Sequence, residues 1–143
     1  MFKRLVLVFA LICSSFMLFG CSASAPDPTA DMVVQAFKDT GLECEDVYDM
    51  TKDDYGLAPM VAKEGKRFLI PSLGEDNGGR IFTFNNTEDL EKTKAYYDDL
   101  GKESAAFFSW TFVKDKVLVQ INGDLPEDKA KKYEAALNSI GGK

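Results

Sequence analysis

Apolar residues recur at helical spacing in three stretches of this chain and at alternate positions in several others. Val33, Val34 and Phe37 follow Ala30 by 3, 4 and 7 residues and share one helical face with it. Thr29 precedes them as an N-cap and Gly41 follows as a helix stop, so a helix is predicted between the two. A second helix opens at Thr87, with Glu88 and Asp89 complementing its first turn. Its inward side is Leu90, Thr93, Tyr97 and Leu100, and Gly101 is read as its end. The third starts at Asp124-Leu125-Pro126-Glu127, where an aspartate caps, a proline suits the first turn and a glutamate completes a capping box. Ala130, Tyr133, Leu137 and Ile140 then repeat at 3, 4 and 3 before Gly141-Gly142.

Residues 107–122 predict a β-hairpin. A two-residue loop at Lys114-Asp115 pairs Phe112 with Val117, Trp110 with Val119 and Phe108 with Ile121, which collects the large apolar groups on one face. Trp110 is therefore assigned to the core rather than to a ligand platform. Residues 58–63 and 66–70 read as another hairpin turning at Glu64-Gly65, with Pro59 marking an edge and Pro71 an end. Residues 80–84 form a further strand, and residues 42–50 a weaker one whose alternation breaks near Asp46-Val47, the sign of a bulge. Thr51 and Asp54 suit a single capped helical turn ended by Gly56. The fold class expected is α+β: a two-layer sandwich of a five- to six-stranded, mostly antiparallel sheet and three helices.

The first 28 residues follow a different logic. Lys3 and Arg4 precede an apolar run of 15 residues, shorter than the roughly 20 a spanning helix needs. Leu18-Phe19-Gly20-Cys21 closes the run and resembles the lipobox of bacterial lipoprotein signals, with Phe19 in place of the usual small residue. The resemblance implies removal of residues 1–20 as a lipoprotein signal peptide and attachment of diacylglyceryl, with palmitate as a further acyl chain, at Cys21. An uncleaved N-terminal anchor is the alternative. Residues 21–28 then form the lipidated cysteine and an extended tether of small residues and prolines, reaching about 20 Å at most. Residues 29–143 form a single α+β domain on the extracytoplasmic face of the cell membrane.

Charge narrows the partners. The chain has 17 basic and 23 acidic residues, and loss of Lys3 and Arg4 leaves 15 against 23, a net −8. An acidic domain is repelled by anionic lipid and nucleic acid, so no nucleic-acid partner is expected. Membrane contact falls to the lipid anchor, and an envelope protein is the partner class expected. Once Cys13 is lost and Cys21 is lipidated, Cys44 is the one thiol left and no internal disulfide can form. Glu43 and Glu45 flank it and raise its pKa, and a buried apolar role suits it better than a reactive one.

Chemistry is sparse. The absence of histidine excludes His-based triads and the usual zinc ligands. Gly74, Gly78 and Gly79 lack the Lys-Ser/Thr that a phosphate loop requires. Residues 74–80 are the one candidate ligand loop: Glu75, Asp76 and Asn77 offer oxygens to a hard cation, and Arg80 can hold a carboxylate. The same composition makes a solvated turn in which Arg80 neutralises the adjacent acids, and that reading is adopted. No metal, cofactor or catalytic residue is assigned.

Several stretches together resemble a family of small bacterial lipoproteins, some of whose members carry only the label "stress protein". They are Met50-Thr51-Lys52-Asp53-Asp54-Tyr55-Gly56-Leu57-Ala58-Pro59, residues 67–76 with Gly78-Gly79-Arg80, Phe108-Ser109-Trp110-Thr111-Phe112, and residues 118–126. The resemblance implies an exported, lipid-anchored protein with no established activity. Three expectations follow: a surface binding or interaction module, stress-related or carried on a mobile element; a hydrolase or transferase using Asp53, Asp54, Glu75 or Asp76; or a structural envelope protein. The first is adopted. Replacement of Cys21 by serine is expected to abolish lipid attachment, leaving a precursor that is uncleaved or shed. Intact mass and detergent-phase partitioning decide, and a mutant that loses its signal yet still enters the detergent phase contradicts the lipobox.

Overall fold

The computed structural model describes residues 25–141. The signal segment, Cys21 and most of the tether lie outside them. Five antiparallel strands form one sheet: β1 (Glu45–Asp49), β2 (Glu64–Leu69), β3 (Gly78–Thr83), β4 (Ser109–Lys114) and β5 (Val117–Asn122), in the order β1-β2-β3-β5-β4. Three longer helices, α1 (Ala30–Asp39), α3 (Thr87–Glu103) and α4 (Glu127–Asn138), accompany them, with a single turn, α2 (Lys52–Tyr55), after β1. The α+β sandwich is as the sequence predicts.

Alternate residues of the sheet supply two cores. Phe68, Ile81, Phe112, Val119 and Ile121 join Val33 and Phe37 of α1 and Tyr133 and Leu137 of α4. Phe82, Phe84 and Leu118 join Leu90 and Tyr97 of α3. The helices thus divide between both faces, adding a layer to the two expected. Phe37 anchors the first core: its ring lies 5.0 Å from Tyr133, edge-on, and 5.7 Å from Phe68. Gly79 lets Phe68 lie against the sheet, since a Cβ there would come within 2.5 Å of the Phe68 ring and 2.6 Å of the Gln120 carbonyl.

Local signals hold where they are self-contained. Thr29 accepts from the Met32 amide at 3.3 Å, and Gly41 stops α1 at φ +73° while Leu42 N–H donates to Phe37. Asp54 accepts from the Thr51 amide at 2.7 Å, closing the box that starts α2. The bulge falls between Glu45 and Tyr48, with Asp46 at φ +45°.

Other expectations are corrected. Residues 58–63 are not a strand. β2 starts at Glu64 and pairs instead with β3, around a 3₁₀ turn at Pro71–Leu73, and Ala58 turns into the second core. Gly101 lies inside α3, which runs to Glu103, because its missing side chain admits Phe108, whose Cα would stand 3.2 Å from a Cβ there. The helix α3 does open at Thr87, and Asn86 caps it by accepting from the Asp89 amide at 2.8 Å. Pro126 occupies the N-cap of α4 and Asp124 does not cap it.

The β4–β5 hairpin keeps its expected faces but slips by two residues. Phe112 opposes Val119, Trp110 opposes Ile121, and Asp115-Lys116 form the loop. Asp115 takes φ +52°, a left-handed conformation that aspartate tolerates better than the lysine the expected loop would have placed first. Trp110 is half-buried against the first core and donates from Nε1 to the Leu125 carbonyl at 2.9 Å. At the described start of the chain, Pro28 is buried and Asp27 pairs with Lys116 at 2.9 Å.

Phe37→Ala is expected to destabilise the fold by about 3–5 kcal/mol, because the ring is fully buried among rings that cannot all close the gap. Leu57, 90% exposed, should lose less than about 0.5 kcal/mol on the same change. Denaturant titration of both variants checks the contrast.

Candidate functional site

The candidate loop divides. Glu75 and Asp76 are exposed at the turn between β2 and β3, with Asp76 at φ +57°. Asn77 braces the turn: its Nδ2 donates to the Leu73 carbonyl at 3.1 Å and its Oδ1 accepts from Asn122 at 3.0 Å. Arg80 goes elsewhere. It lies within β3 and neutralises neither Glu75 nor Asp76, because strand alternation sends its side chain to the face shared with Phe82. Among the described residues, no three of His, Cys, Asp and Glu gather into a metal-binding group.

What Arg80 meets on that face is a second arginine. The β2–β3 register sets Arg67 directly opposite Arg80, and the β3–β5 register sets Gln120 on its other side. Thr111 of β4 continues the row beyond Gln120. A polar stripe four strands wide therefore crosses the sheet, bordered on one side by Phe82 and Leu118. Arg80 donates from Nε to the Asp54 carbonyl at 3.1 Å and from NH1 to Gln120 Oε1 at 2.9 Å. Arg67 donates to the carbonyls of Gly79 at 3.2 Å and Asp76 at 2.6 Å. These contacts fix both forks in place without discharging them.

The pairing is unfavourable in itself. Like charges directly opposite on adjacent strands repel. Burial lowers the Arg67 pKa and the charge of Arg80 lowers it further, while Tyr48 and the Asp54 carboxylate oppose the shift. None of the seven ion pairs among the described residues uses either arginine; all seven are formed by lysines. The carboxylate of Asp54 lies nearby but is engaged by the Thr51 amide, the Thr51 hydroxyl and the Tyr48 phenol, and the Thr51 amide bond leads in holding its pKa down.

Above the stripe opens a cleft of about 320 Å³. Arg67, Arg80 and Gln120 contribute to its floor, Tyr97 of α3 lines one wall, and Phe107 and Phe108 form the lip. Phe107 is 61% and Phe108 43% exposed, so both rings remain available to a ligand. Phe108 is nonetheless held firmly. It abuts Gly101, where a Cβ would crowd it at 3.2 Å, and Gly123, where a Cβ would collide with its carbonyl oxygen, and its own ring meets Trp110 edge-on at 5.0 Å. Burial raises the Tyr97 pKa, so its phenol is neutral and a hydrogen-bond donor.

Sequence reasoning found Arg80 but missed Arg67 and the cleft. One signal was present: residues 21–143 contain only two arginines, 67 and 80, and every other cation there is lysine. Comparison with known protein families, characterised proteins and solved structures finds no match for this chain.

Cys44 lies apart from the cleft and is fully buried. Burial pushes its thiol up to about 11, with Lys38 opposing and Glu45 adding. Glu43 has turned away to accept from the Ser72 amide and hydroxyl. A thiol that ionises later when folded than its ordinary 9.0 favours the folded state below pH 9, and this stability is lost as pH rises towards 11. The wild type is therefore expected to lose roughly 2–3 kcal/mol more than Cys44→Ala between those limits. Denaturant midpoints at pH 8.5 and 11 test this, and equal losses contradict it.

Proposed function

We propose that the protein is a non-enzymatic binding module, held by lipid on Cys21 at the extracytoplasmic face of the cell membrane, which captures its ligand or envelope partner in the Arg67–Arg80 cleft. One observation carries the reading: both arginines of the chain beyond residue 20 meet on one face, neither in a salt bridge among the described residues, beside exposed aromatic rings. Charge repulsion of this kind costs stability unless something else uses it. The lipobox and the likeness to small lipoproteins support export, and a stress- or mobile-element role would follow from that likeness.

The carboxylate enzyme is less well supported. Asp53 is exposed on α2, Glu75 and Asp76 are exposed on the β2–β3 turn, and Asp54 is tied up as a cap. A general acid or base needs a carboxyl whose environment lifts its pKa, and Asp54 is shifted the other way.

A photo-crosslinking residue at position 107, at the lip, should form an adduct in living cells, whereas one at position 75, on the turn, should not. Adducts at 75 alone, or none at either, contradict the cleft as the site of capture. Nitrophenyl esters and phosphates should remain uncleaved by the purified protein, and turnover abolished by Asp54→Asn favours the enzyme instead.

A further inference from the structure

The proposed binding module leaves the chemistry of its ligand open, and the cleft narrows it. We infer that the cleft takes a small oxyanion, a carboxylate or phosphoryl group, carried on a flat apolar body: the two guanidiniums grip the anion while Phe107 and Phe108 cover the body. This deepens the reading above and rests on it.

Four features converge. First, the site is cationic in an acidic chain. Arg67 and Arg80 lie opposite each other, and a single anion between two guanidiniums turns their repulsion into two attractions. Second, the forks are oriented before any ligand arrives. Each donates to two fixed acceptors, and a guanidinium has five N–H donors, so each has more to offer. A preset donor array loses little freedom on binding. Third, the planar fork suits carboxylate and phosphate, whose oxygens accept two parallel bonds. Lysine, the only other cation beyond residue 20, would supply a point charge instead.

Fourth, the lip is apolar and braced. Phe108 is seated between Gly101 and Gly123 and stacked edge-on against Trp110, so its exposed edge is a fixed surface. Leu100 and Ala106 extend the apolar wall. A cleft of about 320 Å³ is at the lower end for small-molecule sites, which run roughly 300–1,000 Å³, so the body is no more than a ring or two. Asp124, next to the Gly123 that packs on Phe108, also lines the cleft and disfavours a second anionic group there.

Isothermal titration of the full-length lipidated protein in non-ionic detergent, at low salt, tests the inference with phenylphosphonate, benzoate, inorganic phosphate and benzylamine. One equivalent of phenylphosphonate or benzoate should bind about tenfold or more tightly than phosphate, and benzylamine should not bind. The tighter of the two aromatic anions tells a phosphoryl from a carboxylate ligand. Arg67→Gln and Arg80→Gln should each weaken that anion by about tenfold or more, and Phe107→Ser should reduce it to the level of phosphate.

Melting curves of the unliganded variants separate folding from binding. Should Arg80→Gln unfold through loss of its bond to Asp54, Arg80→Lys, which keeps the charge and loses the fork, must still weaken the anion. Three results overturn the inference: no aromatic anion binding at millimolar concentration, unchanged affinity in the folded arginine variants, or benzylamine binding as tightly as benzoate. Any of these with the adduct at position 107 intact removes the oxyanion and leaves the module. Loss of both removes the cleft.

Discussion

Strand β3 has no face to give to water, and the molecule is built around that constraint. Ile81 enters the core beneath α1 and α4, while Phe82 enters the core beneath α3. A strand buried on both sides cannot slip by one residue without exchanging its two sets of side chains, so its register with β2 and β5 is fixed by both cores together. Arg80 is the one charged residue in this strand, and the same register decides what it faces. The opposition of Arg67 and Arg80 is thus a by-product of hydrophobic packing that neither arginine could produce alone.

Packing also supports the edges of the cleft. The glycines at 101 and 123 open space for Phe108, Phe108 meets Trp110, and Trp110 is tied to the Leu125 carbonyl ahead of α4. The lip is therefore connected through one indole to the core on the opposite side of the sheet. Trp110, assigned to the core from its pattern, serves both as packing and as a buttress.

How much of this the sequence reveals depends on the range of the interaction. Thr29, Gly41, Thr51 and Asp54 act within a few residues of themselves, and the elements they bound are where the pattern places them. The alternation of Phe112 and Val119 identifies the buried face, but alternation survives a shift of two residues, so the partners had to be chosen by the turn, and Asp115 chose them. Gly101 looks like a helix stop because its real reason, the approach of Phe108, belongs to tertiary structure. Arg67 and Arg80 are thirteen residues apart with a turn between them. Only the β2–β3 register brings them together, and the expected hairpin at Glu64-Gly65 would have given β2 a different partner.

The burial of Pro28 and its neighbouring Asp27–Lys116 contact have a directional consequence. The exposed ion pair alone holds weakly, at about 0–1 kcal/mol, so the seated proline makes the attachment. It lies beside Lys116 at the start of β5, whereas the cleft is lined by Gln120, Asn122 and Gly123 towards the other end of that strand. Under the proposed lipid anchor on Cys21, residues 22–26 would be the link between the acyl chains and the seated proline. The point of attachment and the cleft would thus sit towards opposite ends of one strand, so the tether would not cover the mouth.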